Sequence, residues 1–306
     1  MEKPPLRLPA GVHVLQRGWL SSNNILLIDE TRSVMVDSGY VSHAPQTLAL
    51  VKNILAEKPL DLLLNTHLHS DHCGGNAILQ KHYACETWVP AQELAAVRAW
   101  DEEQLSFRRT GQRCASFTAD ASLLTGSVLH MANLEWQVLA APGHDPHSLV
   151  LFCPAEQVLI SADALWENGF GAIFGELEGH GGFAEQAAVL DLMESLQAQI
   201  VIPGHGAPFT NASEAIQRAR QRLDYFTTDP LRNTRHIVRV LIAFLLLDEG
   251  QLSLIELAQR FANSPVLIKA QEHLATPIKD LLRAAANELS RVGVLRIEDD
   301  KLVQRA

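Results

Sequence analysis

Asn65-Thr66-His67-Leu68-His69-Ser70-Asp71-His72-Cys73-Gly74-Gly75-Asn76 is the stretch on which the reading of this chain turns. Before it runs Leu60-Asp61-Leu62-Leu63-Leu64, a short apolar run that reads as a buried strand. After it come two glycines and Ala77-Ile78-Leu79-Gln80-Lys81, which reads as the start of a helix. Four metal-capable side chains therefore sit on a tight turn at a strand end. His67 and His69 are two apart, so in extended chain they point the same way. Asp71 and His72 follow at once and can face a second point nearby. Imidazole nitrogen and carboxylate oxygen suit zinc and related first-row metals. A solvated polar turn does not account for three histidines and an aspartate within residues 67–72.

The same layout recurs on either side. Residues 11–39 read as antiparallel strands: Val12, Val14 and Leu15, then Asn24–Ile28 and Ser33–Asp37 about a turn at 29–32. They end at Asp37-Ser38-Gly39, an acid at a strand end. Pro45 to Glu57 has helical spacing, and Thr87-Trp88-Val89 reads as a strand. Pro90 is expected to open a helix at its first position, carrying Leu94, Ala95 and Val97. Residues 101–122 are polar and irregular: a helix and a loop, either over the mouth of a site or on an ordinary surface excursion. Strands are then expected at 128–131, 134–140, 149–152 and 158–161. The second runs into Pro142-Gly143-His144 and the fourth into Ala162-Asp163. A glycine-rich stretch (167–182), a helix (183–197) and the strand Ile200-Val201-Ile202 lead to Pro203-Gly204-His205. Each strand thus hands on to a turn bearing His or Asp, an arrangement that sets catalytic groups on rigid supports.

After residue 212 helical patterning dominates, at 213–227, 234–248, 253–262 and 278–291. The chain closes with Val294–Ile297 and Lys301–Val303 as a small hairpin, a winged-helix-like ending. The division is placed at 1–212 and 213–306, with the helix from 213 as a bridge.

Composition limits the function. With 47% hydrophobic and 20% charged residues the chain is an ordinary globular protein. A net charge of -10 argues against a general binder of nucleic acid or anionic membrane. No apolar run approaches a membrane span, and Met1–Pro9 lacks an apolar leader core, so a cytoplasmic location is expected. Cys73, Cys85, Cys114 and Cys153 form no CxxC pair, so no disulfide framework is expected, and Cys73 is read as a packing residue.

The pattern His67-x-His69-x-Asp71-His72, followed in order by His144, Asp163 and His205 at strand ends, resembles the metallo-β-lactamase-fold hydrolase superfamily over about residues 10–210. The resemblance implies an α+β fold: a four-layer αβ/βα sandwich, here followed by the small helical, winged-helix-like domain. It implies a binuclear site. His67, His69 and His144 would hold one metal, Asp71, His72 and His205 the other, and Asp163 would bridge. Asp37 would support the site from behind. The cofactors would be two divalent metal ions, zinc first, with manganese or iron as alternatives. Two such cations roughly 3.5–4 Å apart can share a hydroxide and make a nucleophile near neutral pH. Asp71 is also the candidate catalytic proton shuttle. His147 is read as a supporting residue behind the ligands or a surface residue, and His180 as part of a solvated loop.

Departures from subfamily patterns narrow the reaction. Lactamases of this superfamily carry cysteine where Asp163 stands. Its acyl-homoserine lactonases place a tyrosine shortly after the bridging aspartate, where this chain reads Ala164-Leu165-Trp166. The glutathione-binding basic helical region of glyoxalase II enzymes finds no matched pattern here. The inserted domain of the long nucleases and the flavodoxin-like domain of flavin-containing members are missing. The expected function is hydrolysis of an ester-like bond, thioester or lactone first, in a small-molecule substrate. A lactamase-like endoribonuclease or phosphodiesterase is the alternative, because those enzymes also carry a winged-helix-like tail. Residues 236–306 hold nine Lys or Arg and nine Asp or Glu, so this tail is neutral and nucleic acid is not the favoured partner. Arg218, Arg220 and Arg222 read as a solvated helix face. The tail would pack on the hydrolase part or join a homodimer. A regulator that keeps metal only for stability is the remaining, non-enzymatic reading; structural zinc sites are usually closed and single.

Overall fold

The computed structural model describes residues 6–305. Met1–Pro5, most of the stretch read for a leader, and Ala306 lie outside the described residues. In chain order the elements are β1 (Val12–Leu15), β2 (Asn24–Ile28), β3 (Ser33–Val36), α1 (Ala44–Leu55), β4 (Leu62–Leu64), α2 (Ser70–Cys73), α3 (Asn76–Tyr83), β5 (Glu86–Pro90), α4 (Leu94–Ala99), α5 (Phe107–Thr110) and β6 (Ala121–Leu123). The second half continues with β7 (Val128–Met131), β8 (Leu134–Ala140), β9 (Leu149–Cys153), β10 (Val158–Ala162), α6 (Phe174–Glu178), α7 (Phe183–Leu196), β11 (Ile200–Pro203) and α8 (Ala212–Thr228). The tail holds α9 (Pro230–Glu249), β12 (Gln251–Ser253), α10 (Leu254–Arg260), α11 (Pro265–Leu274), α12 (Ile278–Arg291), β13 (Leu295–Glu298) and β14 (Lys301–Gln304).

The sandwich is built on two sheets, in the orders β1-β2-β3-β4-β5-β6 and β11-β10-β9-β8-β7. The inner strands β2, β3, β4, β9 and β10 are buried on both faces, and the period of two sorts their side chains. Ile25, Leu27, Val34, Val36, Leu62 and Leu64 turn inward and meet Trp136, Val138, Leu151, Ile160 and Ile202 of the second sheet. Leu26, Met35 and Leu63 turn outward onto Val51 and Leu55 of α1 and Leu79 of α3. On the far side Val150, Phe152, Leu159 and Val201 pack against Val189, Leu190 and Met193 of α7. Helices, sheet, sheet and helices give the expected αβ/βα sandwich. Each fully buried Leu or Val in it contributes roughly 1.5–3 kcal/mol. The backbone N–H of Leu149 donates to the carbonyl of Thr66 at 2.8 Å, tying the two sheets where the site begins.

Three local expectations need correcting. Pro90 does not open a helix; it ends β5, opposite Leu123 of β6. A strand end tolerates its fixed φ and missing N–H as well as a helix start does. The helix begins at Leu94, with Glu93 at its N-cap position. Residues 121–123 add a sixth strand, and Pro265–Leu274 is a helix for which the tail reading had no place. Its start is marked by Ser264, whose side chain accepts from the Leu267 N–H, and by Pro265 in the first turn.

Ala215, Ile216, Ala219 and Leu223 of α8 pack into the cluster outside the second sheet. The units beyond are centred on α9. Leu241, Ile242 and Leu245 of α9 join Leu257, Leu267, Leu282 and Leu302, and the same cluster takes in Ala172 and Leu177 from the sandwich. A three-stranded sheet, β12-β14-β13, completes the tail. Tyr40 also reaches across: its ring lies 5.1 Å edge-on from Phe244, and its hydroxyl donates to Asp248 at 3.1 Å. The tail therefore packs on the sandwich, one of the two roles open to it. Among the described residues no helix is long and apolar enough to cross a membrane.

Candidate metal centre

All seven candidate ligands stand just past strand ends on one edge of the sandwich. His67 and His69 follow β4, while Asp71 and His72 lie in the short α2. His144 follows β8, Asp163 follows β10 and His205 follows β11. Chains from both sheets thus converge on one place, which residue spacing alone does not state. Two groups form within it: His67, His69 and His144, and Asp71, His72, Asp163 and His205, with the ligand atoms inside each group within 4.8 Å of one another.

In the first group His67 Nε2 and His69 Nδ1 are 3.1 Å apart, and His69 Nδ1 is 2.8 Å from His144 Nε2. In the second, His205 Nε2 is 3.0 Å from Asp71 Oδ2 and His72 Nε2 is 3.4 Å from Asp163 Oδ1. Asp163 spans both: its Oδ2 lies 3.6 Å from His144 Nε2 and 3.7 Å from His205 Nε2. Among the described residues the fully buried Nε2 of His72 has no hydrogen-bond partner. A buried polar atom without a partner costs stability unless something else meets it. Nitrogen and carboxylate donors converging at these separations fit first-row divalent cations.

For three of the histidines, His67, His72 and His144, the ring nitrogen turned away from the centre is held by the protein, which fixes the orientation of those imidazoles. His144 Nδ1 donates to the carbonyl of Ala172 at 2.6 Å. Thr66 Oγ1 is 3.1 Å from His67 Nδ1. His72 Nδ1 meets Asp37 Oδ2 at 2.7 Å. Asp37 also accepts from Thr66 N and Oγ1, at 2.9 and 2.8 Å, so one carboxylate fixes the start of the turn and one of its histidines. Asp37 does this from a left-handed backbone, φ 57°, and Ala162 just before Asp163 has φ 46°. Such conformations are uncommon for residues with a Cβ and mark places the surrounding structure holds under strain.

Charge in the two groups differs. Burial first, and then the neighbouring histidines, push His67 well below the usual imidazole range. Burial likewise lowers His69, and takes His144 down to about 4. These rings are neutral at pH 7 and keep a lone pair free. Burial works against the charge of Asp163, yet His205 and His72 outweigh it and hold the carboxyl well below its ordinary range. His72 goes the other way: burial lowers it, but Asp163, Asp37 and Asp71 raise it well above the usual value. A proton on His72 balances the carboxylates around it, a role a bound cation can take over.

Two glycines let backbone approach the ligands. A Cβ on Gly204 would stand 2.1 Å from Asp163 Oδ1, and one on Gly171 would stand 2.4 Å from His144 Nδ1. Pattern reading passed over both, along with four further side chains. Trp166 Nε1 donates to Asp163 Oδ1 at 3.2 Å. Trp19, 60% exposed, stacks on His205 at 5.5 Å with an interplanar angle of 8°. Asp145 Oδ2 sits 3.8 Å from His69 Nε2, and Glu93 lines the adjoining cavity. The neighbour position to His144 was the available signal for Asp145; Trp19 and Glu93 had none. His147 and His180 both reach that cavity, His180 from an exposed position. Cys73 is outside the ligand groups: its thiol donates to the carbonyl of His69 at 3.3 Å and lies 3.7 Å from Cys114 Sγ.

The cavity holds about 580 Å³ beside His69 and His144. Leu68, Ala96, Phe174 and Val266 supply apolar wall, and Arg109 and Glu178 pair across it. Residues 104–110, from the irregular segment, form one side of it. That places part of the segment beside the site.

The family model described as Metallo-beta-lactamase superfamily matches residues 17–205. The chain is 30% identical over 133 residues to a protein of Rhodopseudomonas palustris named hydroxyacylglutathione hydrolase, covering 43% of this chain and 44% of that one. It is 27% identical over 195 residues to a Haemophilus ducreyi protein of the same name, covering 63% and 69%. The chain spans less than half the length of the first curated relatives it matches. In fold it is similar to a beta-lactamase domain protein from Burkholderia ambifaria, with a TM-score of 0.60 and 22% identity over 98% of this chain and 94% of that one.

Proposed function

The chain belongs to the metallo-beta-lactamase superfamily, and from that premise we propose that it is a binuclear metal-dependent hydrolase of an ester-like bond, thioester or lactone first. The observation that carries the reading is Asp163, whose Oδ2 faces His144 of one ligand group and His205 of the other at 3.6 and 3.7 Å. His67, His69 and His144 would hold one cation. Asp71, His72 and His205 would hold the second, with Asp163 between them. Zinc is the first choice, manganese or iron the alternatives. Bound there, two divalent cations supply a water activated at neutral pH and a Lewis acid for the acyl oxygen.

The chain's own residues do the rest. Asp37, Thr66 and the Ala172 carbonyl hold the imidazoles in register. Asp71 turns Oδ2 to His205, which leaves Oδ1 to take and return a proton near the reacting carbonyl. The cavity beside His69 and His144 has the size of a small-molecule site. Acyl thioesters come first because the curated relatives are named for hydrolysing hydroxyacylglutathione.

A panel of thioesters, lactones, bis-p-nitrophenyl phosphate and labelled RNA tests this. Turnover of a thioester or lactone, lost in Asp163→Ala, is expected. Cleavage of RNA or the phosphodiester with the esters untouched would put the alternative in its place.

A further inference from the structure

The cavity beside His69 carries acidic groups that the proposed hydrolysis leaves unused. Four carboxyls line it: Glu93, Asp145, Glu178 and Glu185. Two are answered by the protein. Glu178 pairs with Arg109, and Glu185 accepts from the N–H of Gly182 at 2.8 Å. Asp145 is partly answered: Oδ1 accepts from the N–H of His147 at 2.8 Å, while Oδ2 has only the distant Nε2 of His69 at 3.8 Å. Glu93 is not answered at all. It is 8% exposed, and its buried Oε2 has no hydrogen-bond partner among the described residues. Though it occupies the N-cap position of α4, its side chain makes no capping bond, and the residue lines the cavity. Arg109, the arginine on the wall, is engaged by Glu178 and Glu103. Burial and the nearby Asp145 push the Glu93 carboxyl well above its usual range. A cationic group entering the cavity would reverse that.

We propose that Glu93 and Asp145 form a specificity subsite for an ammonium group on the acyl part of the substrate, set a few bonds from the scissile carbonyl. The proposal rests on the hydrolase reading and narrows it to amino-bearing acyl esters or thioesters. Two carboxylates around one ammonium give the charge-assisted hydrogen bonds that an isolated buried Glu lacks. A neutral amide in the same place brings no charge for the two carboxyls to pair with, so the site selects against N-acylated substrates.

The test is binding of hydroxamates to the metal-loaded protein, read by calorimetry. Glycine, β-alanine and γ-aminobutyrate hydroxamates vary the distance from amine to carbonyl, and each has an N-acetyl partner. The expected result is a preference of about ten- to a hundredfold for the free amine at one of these lengths, collapsing towards none in Glu93→Gln. Equal binding of amine and N-acetyl forms by the wild type at every length would overturn the subsite. A preference that survives Glu93→Gln would overturn its assignment to Glu93. Absence of ester turnover with the binding preference intact would count against the hydrolase reading alone.

Discussion

Asp37 and His72, thirty-five residues apart, are joined at 2.7 Å, Oδ2 to Nδ1, in a fully buried contact. The same carboxylate takes two hydrogen bonds from Thr66 at the head of the ligand turn. A residue outside the ligand set thus orients one histidine and anchors the turn that carries four of the candidate ligands. Replacing it by Ala frees the His72 ring and leaves Thr66 unpaired. Metal affinity should fall by about ten- to a hundredfold, as for other carboxylates behind a ligating histidine, measured by competition with a chromophoric chelator.

Gly204→Ala puts a methyl where Asp163 Oδ1 now lies, and Gly171→Ala puts one against His144 Nδ1. Both variants should lose bound metal and turnover while the remainder of the sandwich stays folded, since each Cβ is aimed at a ligand. Metal content per chain, read beside a circular dichroism spectrum, checks this. Full metal occupancy in Gly204→Ala would show that Asp163 has room to move.

Asp248 holds the tail to the sandwich. It accepts from Arg113 Nη2 at 2.7 Å, Arg113 Nε at 3.2 Å and the Tyr40 hydroxyl at 3.1 Å. Burial, and then Asp248 itself, push the Tyr40 phenol up to about 12, so it remains a donor at any ordinary pH. Asp248→Ala leaves the enclosed Tyr40 hydroxyl without its acceptor, with only the Arg113 N–H donating to it at 3.2 Å, and should cost about 1–3 kcal/mol. Urea denaturation would show it, with proteolysis reporting whether the tail detaches first.

His236 gives a pH signature away from the ligand groups. Burial, and then Arg222 and Arg239, lower its imidazole to about 3. The unfolded chain takes up a proton near the ordinary value of about 6.5, whereas the folded chain does not until about pH 3. The unfolded state therefore binds more protons in that window, and stability falls as pH drops through it. Substituting His236 by Leu should flatten this part of the stability–pH curve, by roughly one to a few kcal/mol at its acid end. An unchanged slope between pH 6.5 and 4 would contradict the account.

The sandwich was legible because its signals are local. Leu62-Leu63-Leu64 can only be a short buried strand, and the glycines at 74–75 end the ligand turn. The order His67, His69, Asp71, His72, His144, Asp163, His205 could be written down before any contact was known, since each residue follows an apolar run. What sequence did not yield depends on contacts between distant segments. Pro90 has a fixed φ that suits a strand end and a helix start alike, and pairing with Leu123 decided between them. Ala121–Leu123 has three residues, too few for periodicity to register. Glu93 is an ordinary charged residue in a helix start until the fold encloses it beside Asp145. Trp19 has no local mark to place it on His205, 186 positions further along the chain.

The central claim is that two ligand groups sharing Asp163 hold two cations. Mass-spectrometric metal analysis of the purified, zinc-supplemented and desalted chain tests it most directly. About two metal ions per chain are predicted for the wild type, with a clear loss in Asp163→Ala. A wild-type value near zero after supplementation would contradict it.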